Sequence, residues 1–361
     1  MVRLGIIGCG IMGKGHANSI LEGKVPNSEL TAVCDTDPAA LAWAEERNIK
    51  TFAKTSDLLA SGTVDAVVIA TPHYDHPIIA MEALDKNIHT MVEKPAGVYT
   101  KAVREMNAKA ANSSAVFAIM YNQRTNPIYR KMREMIQNGE LGALKRTSWL
   151  ITDWYRSQAY YNGGGWRATW KGEGGGVLIN QCPHNLDLWQ WICGMPKKIT
   201  AFTHNGKWHD IEVEDDVTAY VEYENGATGV FVTSTADCPG NNRFEVLGDL
   251  GKLVCENDQL IYHKLNISER EFNRTNTEMF AAPPAEKIIL DCEGEYSQHA
   301  GVLAAFVAKI NGTGELFARG EEGINGLTIS NAIHLSSWLG KTVELPLDED
   351  LFLAELKKRW K

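Results

Sequence analysis

The 361 residues combine 44% hydrophobic with 22% charged side chains, which excludes a disordered chain, and the length points to about two domains. A formal charge of −9 supplies no basic field for DNA, RNA or an acidic membrane surface, so nucleic acid and membrane are excluded as partners. No apolar run approaches the roughly 18 residues of a membrane span, and the short N-terminal run leads into glycines rather than a signal-cleavage site. Seven cysteines, odd in number and never spaced C-x-x-C, read as reduced thiols in a cytoplasmic setting rather than disulfides or a zinc site.

Residues 2–7 read as a short buried strand that breaks at Gly8, Gly10 and Gly13, the spacing of a dinucleotide site. Gly8 permits a tight turn, Gly10 lets backbone approach a pyrophosphate, and Gly13 lets the next helix sit close to the strand. A helix from Ile11, with Met12 beside it, aims unpaired N–H groups and a positive dipole end at the phosphates. A second apolar run, residues 30–34, ends in Asp35, 22 residues past Gly13 and close to the expected gap to a ribose-binding acid. Its carboxylate accepts from a free ribose diol and repels a 2′-phosphate, which favours NAD over NADP. The alternatives are a glycine-rich surface turn and a helix-capping aspartate.

Residues 38–47 read as a helix capped by Asp37, with Pro38 at its first position. A buried run at 64–70 ends at Thr71-Pro72, a helix follows at 77–84, and a strand at 88–92 delivers Glu93-Lys94-Pro95. Helix 100–111 and strand 116–120 complete an alternating series through residue 122. The alternation predicts an α/β fold, a doubly wound parallel sheet of Rossmann type, with its ligand at the carboxyl ends of the strands.

From residue 123 the pattern changes. Residues 127–138 read as a helix, 144–154 as a strand, and a loop rich in glycine and aromatics runs to residue 176. A helix near 183–193 precedes strand-like runs at 198–203, 217–223, 227–234, 243–248 and 252–265. Val217, Ala219, Val221 and Tyr223 alternate with Thr218, Tyr220 and Glu222, and Asn225-Gly226 marks a hairpin. Late helices fall at 296–310, 324–339 and 348–359. Residues 123–361 are thus expected to form an α+β domain with a mostly antiparallel sheet.

Lys94 sits at a strand end on the ligand face. A lysine partly desolvated beside a cationic nicotinamide ring should have a lowered pKa and could accept a proton from a substrate hydroxyl. Glu93 could orient it; a surface lysine and a solvated glutamate are the plain alternatives. The run from Gly174 to Asp187 places Asn180 as a helix N-cap, Pro183 in the first turn and His184 near the positive helix end, which keeps its imidazole neutral and able to take a proton. Asp187, one turn on, could orient it. Six of the ten tryptophans fall between 149 and 191, and the loop aromatics beside Arg and Asn suit the C–H faces and hydroxyl edges of a sugar. Trp189 and Trp191 read as helix core. In His73-Tyr74-Asp75-His76, cofactor or substrate contact is favoured over a metal, since no third cluster at metal spacing is present.

Gly8-x-Gly10-x-x-Gly13, Asp35, Thr71-Pro72, Glu93-Lys94-Pro95 and Gly174-Gly175-Gly176 followed by His184-x-x-Asp187 together resemble the Gfo/Idh/MocA family of sugar and inositol oxidoreductases. The resemblance spans essentially the full chain. It implies an NAD(P)-binding Rossmann domain, a C-terminal open-faced sheet used to form a homodimer or homotetramer, and redox chemistry at a secondary alcohol of a carbohydrate or cyclitol. Lys94 takes the place of the family's catalytic lysine and His184 that of its histidine. Trp166-Arg167 resembles a pair near the nicotinamide end of the cofactor, and the cofactor set extends to His76 and Glu93. Arg124, Tyr155, Arg156, Trp166 and Asn180 join Lys94 and His184 as candidate substrate contacts. Many members carry aspartate where this chain has Asn180, and an amide cannot take a proton, so acid/base work falls to Lys94 and His184. Redox-assisted glycoside cleavage with tightly bound NAD, a non-catalytic NAD- and sugar-binding regulator, and a methyltransferase with a similar glycine loop are the competing readings.

Overall fold

In the computed structural model, which describes residues 1–361, the apolar runs of the first half become parallel strands joined by helices. In order these are β1 (Val2–Ile7), α1 (Ile11–Leu21), β2 (Ser28–Cys34), α2 (Pro38–Glu45), β3 (Lys50–Phe52), α3 (Thr55–Ala60), β4 (Ala66–Ile69), α4 (Asp75–Asp85), β5 (His89–Val92), α5 (Thr100–Ala110) and β6 (Phe117–Ile119). The six strands pair in the order β3-β2-β1-β4-β5-β6, all parallel. The order reverses between β1 and β4, and ligands of such sheets bind outside the strand ends at that switch. Burial on both faces explains why β1 and β4 read as unbroken apolar runs. The sequence reading lacks β3 and α3, because three residues are too few to show a period.

The remaining elements are α6 (Pro127–Gln137), β7 (Leu144–Ile151), α7 (Gln158–Asn162), α8 (Pro183–Cys193), β8 (Lys198–Asn205), β9 (Glu214–Glu222), β10 (Thr228–Ser234), β11 (Asn242–Gly248), β12 (Gly251–Glu256), β13 (Gln259–Leu265), α9 (Glu269–Thr275), β14 (Ala285–Leu290), α10 (Gln298–Ile310), α11 (Gly323–Leu339), β15 (Val343–Glu344) and α12 (Glu349–Lys357). The chain divides into two units: residues 1–125, 171–174 and 296–328 form one, and the rest the other. Helix α10, which the sequence reading groups with the second half, packs Val302, Leu303, Phe306 and Val307 into the core built on β1 and β4.

The second unit holds a nine-stranded sheet in the order β14-β13-β12-β11-β7-β10-β9-β8-β15, antiparallel except where β7 meets β10. Its inner face carries Trp149, stacked on Phe244 at 4.3 Å, with Phe231 packed between Trp149 and Trp189 of α8. Asn225-Gly226 closes the β9–β10 hairpin with Gly226 at φ +83°. The single run expected over 252–265 is two strands, because Asn257 and Asp258 both take positive φ and turn the chain back. No helix is long and apolar enough to cross a membrane.

Candidate active site

The glycines have three different surroundings, as their proposed roles require. Gly8 has φ +86°, and a Cβ there would lie 2.7 Å from the Ala70 backbone. A Cβ on Gly13 would lie 1.9 Å from the Gly8 carbonyl, so only glycine lets α1 pack this close to the turn. A Cβ on Gly10 would meet nothing within 4 Å. Gly10 caps α1 with no side-chain hydrogen bond, and the first turn of the helix has no acid. Ile11 and Met12 are exposed at its start. The Asp35 carboxylate is half-buried at the end of β2 and accepts from Cys9 N–H at 2.6 Å and Asp37 N–H at 2.8 Å. Across the switch, Thr71 Oγ1 is buried without a hydrogen-bond partner. Open space over Gly10, an uncapped helix start and an orphaned hydroxyl fit a dinucleotide pyrophosphate.

Lys94 follows β5 at the same end of the sheet and is half-buried. Its backbone N–H donates to Glu93 Oε2 at 3.0 Å. Glu93 is 4% exposed, and its other oxygen lies 2.6 Å from Nε2 of His16, itself buried on α1. Burial pushes the Glu93 carboxyl up, but the His16 ring, the Lys94 ammonium and His299 outweigh it and bring the pKa down to about 2. A carboxylate ionised at neutral pH therefore holds the backbone of the lysine. The sequence reading missed His16, although its place three residues after Gly13 puts it on the inner side of α1.

His76 is 1% exposed, with Nδ1 2.8 Å from the Pro95 carbonyl and Nε2 2.7 Å from that of Thr71. Burial lowers its pKa, and the neutral ring donates to one carbonyl at a time, tying the loops after β4 and β5 together. Nδ1 of His73 lies 3.0 Å from the Glu173 carbonyl. Arg124 is 1% exposed and donates to Glu322 at 2.6 Å and to the Phe317 carbonyl, so its charge is met inside its own unit.

In the second unit the glycine-to-histidine segment is anchored by a residue the sequence reading did not single out. Glu214, fully buried at the start of β9, accepts from Gly176 N–H at 2.9 Å and Leu178 N–H at 3.0 Å. His334 Nε2 of α11 lies 3.1 Å from its other oxygen. A Cβ on Gly176 would lie 2.0 Å from the Glu214 carbonyl oxygen. The expected Asn180 cap is corrected: α8 begins at Pro183 with Cys182 as its N-cap, and Asn180 lies in a preceding turn with its N–H on the Gly176 carbonyl. Gly175 and Gly176 let the chain wind before Pro183, which moves the cap two residues on. His184 is the second residue of α8 and 8% exposed, and Asp187 accepts from Gln190 Nε2 at 3.0 Å.

The aromatic cluster splits in two. Trp149, Trp170 and Trp189 are core, Trp170 donating to the Glu212 carbonyl, while Trp191 is half-buried under Arg133. Trp170 is thus withdrawn from the ligand-facing aromatics, which leaves Trp154, Tyr155, Tyr160 and Trp166 on the 154–167 stretch. Tyr155 is half exposed at 51%. Arg156 has its N–H on the Thr235 carbonyl, and its own carbonyl lies 2.8 Å from His209 Nε2. The other His209 nitrogen lies 3.0 Å from the fully buried Asp215 carboxylate. Arg167 donates to Tyr160 Oη at 2.7 Å.

A description of the oxidoreductase family with an NAD-binding Rossmann fold matches residues 2–121, and that of the Gfo/Idh/MocA C-terminal domain matches residues 129–254. The chain belongs to the Gfo/Idh/MocA family. This family member is an oxidoreductase with NAD as its cofactor, which agrees with the cradle over Gly10. It is 24% identical to the 1,5-anhydro-D-fructose reductase of Ensifer adhaerens, covering 96% of this chain and 99% of that protein. It is 23% identical to an inositol 2-dehydrogenase of Rhizobium meliloti, covering 92% and 95%. The WlbA dehydrogenase of Bordetella pertussis, solved with NADH and UDP-GlcNAcA, superposes with a TM-score of 0.80 at 26% identity, covering 96% of this chain and 99% of that one.

Proposed function

We propose that this Gfo/Idh/MocA member is an NAD-dependent dehydrogenase that oxidises or reduces a secondary ring alcohol of a sugar, glycoside or cyclitol. The observation that carries the reading is Lys94 at the carboxyl end of β5, half-buried, with its backbone held by the ionised Glu93. NAD, when bound, supplies the hydride acceptor. Gly8, Gly10, Ile11, Met12, Gly13, Asp35, Thr71 and Pro72 hold it, and Asp35 selects it over NADP. Lys94 takes the hydroxyl proton in oxidation, and His184 shares the acid/base work. Tyr155, Arg156, Trp166 and Asn180 contact substrate. Carbohydrate or cyclitol substrates are supported by the names of the reductase and inositol dehydrogenase relatives. Residues 1–122 bind NAD, and residues 123–361 hold the substrate and a second subunit, in a cytoplasmic setting.

Association through the sheet is supported by its outer face, where Phe202, Thr218, Val232 and Leu150 lie in one cross-strand row. Phe202 is 65% exposed there. Sedimentation of wild type and Phe202→Glu tests this, and an oligomer unchanged by the charge would remove the sheet from the interface. The activity is tested with a panel of sugars, inositols and glycosides and NAD, followed by NADH absorbance. NADH should accumulate with at least one ring alcohol. Glycoside cleavage without net NADH would replace the assignment by redox-assisted cleavage.

A further inference from the structure

We infer that Arg156 and Arg167 form an anion-binding subsite, and that the substrate is a sugar bearing a carboxylate or phosphate group. The inference rests on the sugar-dehydrogenase reading and narrows its substrate class. Both guanidinium groups lie over the same ring, 5.2 and 4.9 Å from the centroid of Tyr160. Arg156 also faces Trp154 at 5.8 Å and Arg167 faces Trp166 at 5.0 Å. Their hydrogen bonds go to the Tyr155 carbonyl and to Tyr160 Oη, both neutral, and neither arginine has a carboxylate partner. Arg3, Arg124, Arg243 and Arg359, by contrast, are ion-paired.

The arrangement is built rather than incidental. Arg156 is fixed at both backbone polar groups, by the Thr235 carbonyl and by His209, which the fully buried Asp215 holds in turn. A guanidinium whose partners are all neutral keeps its full charge, and an oxyanion matches its planar donor fork. A second observation lies next to them. Gln181 is 5% exposed, its Nε2 is 3.5 Å from Tyr160 Oη, and its Oε1 has no hydrogen-bond partner. An orphaned acceptor calls for a hydroxyl donor, as the guanidinium pair calls for an anion. A hydroxylated ring with an acidic substituent supplies both.

Calorimetric titration of the full-length protein saturated with NADH tests this, using D-glucuronate, D-glucose 6-phosphate and D-glucose as probes that share one ring. At least one anionic sugar should bind about tenfold or more tightly than glucose, the scale of a charge-assisted hydrogen bond. Comparing glucuronate with the phosphate ester tells which oxyanion the fork prefers. The preference should vanish in Arg156→Gln/Arg167→Gln, Arg156→Gln alone should weaken it with NADH affinity retained, and in the wild type it should shrink as salt is raised. Glucose bound as tightly as both anions, or a preference that survives in the double variant or is indifferent to salt, overturns the subsite. A parallel loss of NADH affinity in Arg156→Gln also overturns it, by giving that arginine to the cofactor's phosphates. If neutral ring alcohols are oxidised without any anion preference, the subsite falls and the dehydrogenase stands. If an anionic sugar binds as expected but no ring alcohol yields NADH, the dehydrogenase falls and the subsite stands.

Discussion

Replacing Glu214 with alanine should uncouple the glycine-to-histidine segment from the sheet. The carboxylate is fully buried, accepts from Gly176 N–H and Leu178 N–H, and faces His334 at 3.1 Å. Each charge-assisted bond is worth about 1.5–3 kcal/mol, and leaving the buried Gly176 and Leu178 N–H groups unpaired costs about 1–3 kcal/mol each. The terms share one carboxylate and cannot be summed, so a loss of about 3 kcal/mol is expected. Urea unfolding of wild type, Glu214→Ala and Glu214→Gln measures it. Glutamine keeps one acceptor oxygen and should lose about half as much, on the scale of one charged bond. In a His334→Gln background the cost of Glu214→Ala should shrink, because the imidazole that faces the carboxylate is already gone. A loss below about 1 kcal/mol for Glu214→Ala, within the range of an ordinary surface change, would refute the anchor.

Gly10→Ala and Gly13→Ala should separate binding from folding. The first adds a methyl to open space, so stability should change by less than about 0.5 kcal/mol while NADH affinity falls; the second drives Cβ into the Gly8 carbonyl and should unfold the turn, as calorimetry would register. Asp35→Asn keeps one of the two acceptor oxygens that receive Cys9 N–H and Asp37 N–H and removes the charge, and the NAD-to-NADP ratio of kcat/KM should fall about tenfold or more; an unchanged ratio removes Asp35 from the ribose. Glu93 has a folded pKa of about 2 against an ordinary 4.5, so its stabilisation is complete above about pH 5 and is lost as pH falls toward 2. The stability gap between wild type and Glu93→Gln should therefore narrow on acidification, and a gap that stays flat or widens in urea titrations would contradict the ionised carboxylate.

The parallel sheet was legible because strands buried on both faces announce themselves as apolar runs, and glycines at 8, 10 and 13 carry the spacing of a turn beneath a dinucleotide. Helix α8 was legible from the proline in its first turn, although its cap shifted from Asn180 to Cys182. What escaped is nonlocal. Glu214 looks like any charge at the start of a strand, and only the fold brings it under Gly176 and beside His334, 120 residues further on. His16 is likewise unremarkable until Glu93 arrives 77 residues later. The tryptophans misled in part: their crowding between 149 and 191 suggested a ligand surface, whereas Trp149 and Trp170 are buried, and Trp189 is core as expected of α8. Composition gathers aromatics for packing and for binding alike, and only burial separates the two.

The central claim is that the amine of Lys94 accepts the proton of the alcohol being oxidised. Steady-state oxidation of the best ring alcohol from the panel, measured over pH with wild type and Lys94→Ala, tests it most directly. The account predicts a kcat lower by about 10²–10⁴-fold in the variant and loss of the acidic limb of the wild-type pH profile, the expected cost of removing a general base. A variant that keeps the wild-type rate and the same pH profile would contradict it.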